Sequence, residues 1–300
     1  MLTTQDSIYL NWISQDPGKL VPGSTEHRDA FCRMLLDTYN PYRPAVIDWP
    51  ALSETEMERI AGLPFWDTAV AIEGRASLRM DWQADNIEDP LIREALKLNA
   101  AEERRHKDVL HHMITFYGIR LGPEPTYRRP SYPELGFLRT GYGECINSFF
   151  AFGLFELAKR SGFFPLPLVE TFEPVIQEEA RHILFFANYL AYRRARLKGL
   201  RYLAFQATCV VAILEQLMSR LDMAIAARRN RKRKRKGIQT SFLAGGAKSL
   251  TTAFDKRAFL RLCLGENDRR MAGYDMRLQR PRLVPWLVSL FAGSGQGAYR

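Results

Sequence analysis

From about residue 64 onward, apolar residues recur at intervals of three and four, the period of a helix buried along one side. Strand-type alternation is scarce. The clearest stripe reads Ile92, Leu96, Asn99, Glu103, His106, Leu110, Met113, Tyr117. It predicts a helix opened by Asp89 as N-cap and Pro90 as first helical residue, and closed at Gly118. A helix before it runs from near Pro64 to about Ala84. A third spans about Leu135 to Lys159 and carries Gly136, Gly141, Gly143 and Gly153. A fourth runs to about Lys198, with Pro174 either kinking it or marking its true start. A fifth, apolar helix covers about Arg201 to Arg228, and at least one more lies in "LTTAFDKRAFLRLCL". Residues 1 to about 50, punctuated by five prolines, read as irregular, as does the proline-broken tail. The expected fold is all-α. Residues 1–60 form an irregular extension, 61–198 a helical core, and 199–300 additional helices with a basic arm at 228–236 and an irregular tail.

Composition narrows the classes. Apolar residues make up 46% and charged residues 25%, as in ordinary globular domains. The four cysteines are scattered without a CxxC pair, which argues against a thiolate metal site and for a reducing compartment. No basic, then apolar, leader opens the chain, so the expectation is a cytoplasmic protein. The stretch "YLAFQATCVVAIL" is short for a membrane span and is interrupted by Gln206 and Thr208. It reads as a buried core helix, and no transmembrane segment is expected. The net charge is +10, yet "RRNRKRKRK" alone supplies eight positive charges, so the rest of the chain is close to neutral. That run is a solvated arm or a handle for an acidic partner.

Two polar residues in the inward stripe, Glu103 and His106, change the picture. They belong to "EERRH" (102–106), which returns as "EEARH" (178–182), and the chain has only five histidines. On a helix, positions three apart share one face. Glu103 with His106, and Glu179 with His182, can each present a carboxylate and an imidazole to a metal ion. Two such pairs need further carboxylates to neutralise a two-metal centre. Reflecting Glu103 across the turn near residue 88 lands on Glu73. Reflecting Glu179 across the turn at 161–167 lands on Glu144 or Glu156. Glu144 is preferred, because its separation from Glu179 resembles that of Glu73 from Glu103. It also follows "GYG", where missing side chains leave room for metal, oxygen or substrate. His111 and His112 have no paired acid and read as surface; His27 is unassigned.

The repeated acid-Glu-x-Arg-His resembles the signature of soluble di-iron enzymes. These include acyl-carrier-protein desaturases, multicomponent monooxygenase hydroxylases and the ribonucleotide reductase small subunit. Rubrerythrins and arylamine N-oxygenases share the broader order. The resemblance covers about residues 64–198 and implies a ferritin-like four-helix bundle holding two irons, with manganese the substitute at either position. It implies Glu73, Glu103, His106, Glu144, Glu179 and His182 as ligands. Glu102 and Glu178 would be the acids that hydrogen-bond ligand histidines, and Arg105 and Arg181 would balance those acids. Oxygen-rich, imidazole-poor ligation suits iron or manganese better than zinc or copper.

The function expected is an O2-dependent oxidase or oxygenase with an external reductant. Its substrate would be organic, apolar or carrier-bound, and the reaction hydroxylation, N-oxygenation or desaturation. The aromatics of "SFFAFGLF" and "FFANYLAY" would wall an apolar pocket or pack as plain core. Iron storage and peroxide scavenging are alternatives, but the chain is about twice a storage bundle and lacks CxxC. Tyr117 and Tyr142 are near the motifs only by spacing. The arm at 228–236 points to an acidic carrier protein or to RNA, as in a di-iron tRNA hydroxylase. Without interleaved aromatics it is poorly suited to base stacking. Arm and apolar tail together could also hold a membrane surface. A homodimer is compatible with all of these readings.

Overall fold

A computed structural model describes residues 18–63, 65–232 and 255–293, with the backbone alone at 223, 224 and 226–232. The predicted helix start at Pro64 and the end of the basic arm, 233–236, lie outside the described residues. Among the described residues there are helices and no strand. In chain order they are α1 (Thr25–Asp37), α2 (Glu54–Ala61), α3 (Trp66–Asp85), α4 (Pro90–Phe116), α5 (Pro133–Ser161), α6 (Leu166–Glu170), α7 (Glu173–Arg196), α8 (Gly199–Lys232), α9 (Lys256–Met271) and α10 (Leu283–Ala292).

Local chemistry sets the ends of α4 as its sequence predicts. The Asp89 carboxylate accepts from the Leu91 and Ile92 amides at 3.0 and 3.2 Å, and Pro90 takes the first turn. At the far end Gly118 adopts φ +62°, and the Ile119 N–H donates to Ile114 O at 2.9 Å, closing the helix by a left-handed C-terminal turn. The connection from α3 is short, so the two helices lie antiparallel. Ser77 Oγ donates to Ala100 O at 2.8 Å and Lys97 pairs with Asp81 at 2.8 Å. This register brings Glu73 to the level of Glu103. Pro174 lies in the first turn of α7, so it marks that helix's beginning and kinks nothing.

Several expectations are corrected. The N-terminal region is not irregular throughout. Ser24 caps α1, and Ser53 with Glu56 forms a reciprocal cap on α2. Helix α1 packs on α4 and α7, where Phe31, Met34 and Leu35 enter the main core. His27 is buried, its ring bonded to Asn188 Oδ1 at 3.0 Å. The tail is not irregular either, because α10 forms there and packs on α5 and α9.

The glycines of α5 serve close packing instead of leaving space. A Cβ on Gly141 would sit 2.2 Å from the Phe186 ring, and one on Gly153 would sit 2.3 Å from Cys263 Sγ. Gly143 faces Gln216 of α8. The aromatics Phe152, Phe185, Phe186 and Tyr189 are core, packed with Phe31 and Phe137. Finally, α8 is not a buried core helix. It seats Phe205, Cys209 and Ala212 inward, while Leu203, Leu214 and Leu217 are exposed. The stretch Gly199–Asp222 is long and apolar enough to cross a membrane, and only 17% of its most apolar window is buried.

Candidate metal centre

Helices α3, α4, α5 and α7 each bring acidic residues to one buried place. Glu73 comes from α3, Glu103 and His106 from α4, Glu144 from α5, and Glu179 and His182 from α7. Two groups form. In the first, ligand atoms of Glu73, Glu103, His106 and Glu179 all lie within 4.8 Å of one another; in the second, those of Glu103, Glu144 and His182 do. Glu103 belongs to both groups and so lies between them. His106 Nδ1 is 3.3 Å from Glu179 Oε1 and 3.7 Å from Glu73 Oε2, while His182 Nδ1 is 2.8 Å from Glu103 Oε1. The two imidazole rings are 5.6 Å apart. All six sequence-predicted ligands therefore converge. Glu156 does not join them: it pairs with Arg160 one turn along its own helix at 2.7 Å.

The doubled acid of each pentad has a distinct use, and it crosses between helices. Glu178 of α7 holds Nε2 of His106 on α4 at 2.8 Å. Glu102 of α4 holds Nε2 of His182 on α7 at 2.8 Å. The arginines cross in the same way: Arg105 reaches Glu178 at 2.6 Å, and Arg181 reaches Glu102 at 2.9 Å. Each pentad thus supplies the carboxylate that braces the other pentad's histidine, and the arginine that anchors that carboxylate comes from the histidine's own pentad. With Nε2 held outward by a carboxylate, each ring turns Nδ1 toward the acidic cluster.

Burial and mutual repulsion dominate the electrostatics. Glu103 is pushed well above the usual carboxylate range, first by burial and then by Glu179 and Glu73. Glu144 is raised likewise by burial, Glu103 and Glu179. Burial is the largest single influence on Glu102 and Glu179 and opposes their ionisation, but Arg181 and His182 together outweigh it for Glu102, and the neighbouring His106 and His182 with Ser148 together outweigh it for Glu179, so both are lowered. Burial works against charge on His106 as well, but the neighbouring carboxylates of Glu178, Glu179 and Glu73 together overcome it and push the imidazole well above its ordinary range.

The donor set fits a pair of hard cations. Glu103 Oε1, both Glu144 carboxylate oxygens, His106 Nδ1 and His182 Nδ1 are buried atoms without a hydrogen-bond partner. Such atoms are costly to leave unpaired, and here they are the very atoms that face one another. The Glu144 oxygens are out of solvent even though the residue as a whole is only half-buried. Four carboxylates in the two groups would neutralise two divalent ions.

Other residues of the site carried no readable signal in the sequence. Ser148 Oγ donates to Glu179 Oε2 at 2.8 Å. Tyr42 donates to Glu178 Oε2 at 3.2 Å, and its ring stacks under Arg105 at 4.1 Å. Thr38 Oγ1 accepts from Arg181 Nε at 2.7 Å, and Asn40 O accepts from Arg105 at 2.7 Å. The last three lie in the N-terminal region, just after α1, and no spacing rule links them to the pentads. Tyr117 donates to Pro50 O and Tyr142 faces Arg194, so neither belongs to the cluster. His111 is 3.7 Å from Glu124, an acid the sequence does not reveal, at a half-exposed position; His112 is exposed. No protein-family profile, curated protein or solved structure matches the chain.

Proposed function

We propose that the chain is a ferritin-like di-iron oxidoreductase that uses dioxygen to oxidise an organic, apolar or carrier-bound substrate. The observation that carries this reading is the pair of crossed Glu-x-x-His units, with orphaned ligand atoms aimed at each other inside the fold. Glu73, Glu103, His106 and Glu179 would hold one ion, and Glu103, Glu144 and His182 the other. When bound, two irons supply the electrons that activate dioxygen and the oxidising power for hydroxylation, N-oxygenation or desaturation, with an external donor restoring them.

The chain's own residues do the positioning. Glu102 and Glu178 hold the protons on Nε2 of the two rings, which fixes the tautomer and aims Nδ1 inward. His106 Nδ1 and His182 Nδ1 would each hold one ion. Ser148 orients the Glu179 carboxylate. Thr38, Asn40 and Tyr42 close the outer side of the arginine–glutamate pairs and keep water from them. This cover, together with the helices beyond α7, supports a substrate-handling enzyme over a bare storage bundle.

The test is reconstitution with ferrous iron under nitrogen followed by exposure to oxygen. The expected result is about two irons per chain and oxygen uptake that Glu144→Ala abolishes. A folded protein that takes up no iron would overturn the metal reading. Accumulation of many irons per chain would overturn the oxygenase in favour of storage.

A further inference from the structure

The inner side of helix α8 is mixed. Beyond the buried Phe205, Cys209 and Ala212 it carries polar side chains: Glu215 pairs with Arg139 of α5, Gln216 donates to Arg139 O at 2.9 Å, and Arg220 donates to Asn147 Oδ1 at 2.8 Å. The outer face of the helix carries Leu203, Val210, Leu214, Leu217, Met218 and Leu221, each more than half exposed. Their steps of three, four and seven keep them on one stripe. Water is a poor neighbour for such a stripe, and nothing else among the described residues covers it. The helix continues past the stripe to Lys232, into the sequence "RRNRKRKRK", which is cationic at eight of nine positions.

An apolar stripe prolonged by a dense cationic run has the pattern of a helix that lies in a lipid interface: side chains among the acyl chains, charge among anionic headgroups. From the contiguous stripe and the cationic run that extends it we infer that α8 docks the protein on the surface of an anionic lipid bilayer. The charge selects this occupant over a second copy of the chain, since two copies laid stripe to stripe would each bring the same cationic run to the assembly. The polar part of the inner side decides how the helix sits. Glu215, Gln216 and Arg220 hold α8 against α5, so a crossing orientation would carry those groups and Arg139 into hydrocarbon. The helix therefore lies along the surface. The inference is independent of the metal centre.

Flotation of the full chain with vesicles tests it, using phosphatidylcholine alone and phosphatidylcholine mixed with phosphatidylglycerol. Wild type should float with the anionic vesicles, less with the neutral ones, and be released by alkaline carbonate. Leu214→Gln with Leu217→Gln should abolish flotation on both while helix content stays as in wild type. Neutralising Arg231 to Lys236 should remove the preference for anionic lipid and its salt sensitivity. If the double variant misfolds, a fluorophore on Leu217→Cys reports instead, its emission shifting to the blue with vesicles. Wild type that stays in the soluble fraction with both lipids overturns the inference, as does resistance to carbonate. A salt-independent dimer that the double variant splits, without flotation, would assign the stripe to a second copy.

Discussion

Glu102 and Glu178 occupy equivalent places in the two pentads, yet their loss should not be equivalent. Glu102→Gln removes the carboxylate that faces Arg181, whose side chain is 1% exposed; its other bonds go to Thr38 Oγ1 and Leu35 O, both neutral. A buried guanidinium left without its counter-charge costs about 3–5 kcal/mol. Glu178→Gln strands Arg105, but that group is 10% exposed, lies over the Tyr42 ring, and keeps Glu102 at 3.6 Å. Its loss is nearer that of one charge-assisted hydrogen bond, about 1.5–3 kcal/mol. The assay is urea unfolding of the metal-free protein, followed by far-ultraviolet circular dichroism, so that bound metal adds nothing. With a slope of about 3 kcal/mol per molar, the midpoint should fall by about 1–1.7 M for Glu102→Gln and about 0.5–1 M for Glu178→Gln. A larger fall for Glu178→Gln, or equal falls, would refute the claim that the crossed ion pairs differ in burial and back-up. In the same two variants iron affinity should drop about 10–100-fold, through His182 in the first and His106 in the second.

Three further outcomes follow from the same geometry. Glu144→Ala should lose iron from the group containing His182, while Glu156→Ala, which breaks only a half-exposed pair with Arg160, should keep full iron by metal analysis. Gly153→Ala should destabilise the fold by about 1–3 kcal/mol in thermal or urea melts, because the new methyl meets Cys263 Sγ at 2.3 Å and its backbone at 3.0 Å; wild-type stability would mean that α5 and α9 are not so closely packed. Glu173, on which burial acts against Arg270 and Lys159, is held below the ordinary glutamate value; its stabilisation is complete above that value and is lost as pH falls through the depressed one. Glu173→Gln should therefore flatten the acid limb of a stability–pH profile, and an unchanged limb would count against the Arg270 pair.

The chemistry of the centre was legible in the chain because it is periodic. Glu103 with His106 and Glu179 with His182 declare themselves by an i, i+3 spacing that any helix turns to one side, and Asp89, Pro90 and Gly118 mark helix ends through bonds that span only a few residues. The antiparallel α3–α4 hairpin even let Glu73 be located by reflection, since a short connection leaves little freedom of register. What lay beyond reach was every choice between partners distant in sequence. That Glu102 braces His182 and not its own neighbour His106 depends on how α4 faces α7. The glycines of α5 could mark either space or contact, and only the arrival of Phe186 and Cys263 decides for contact. Thr38 and Tyr42 reach the site because α1 packs on α4 and α7. Helix α8 shows the limit most plainly: its composition fits a core helix, and the polar bonds to Arg139 and Asn147 turn its leucines outward. Period and capping depend on forces within about one helical turn, whereas the face a helix buries is settled by the free energy of packing against surfaces the rest of the chain supplies.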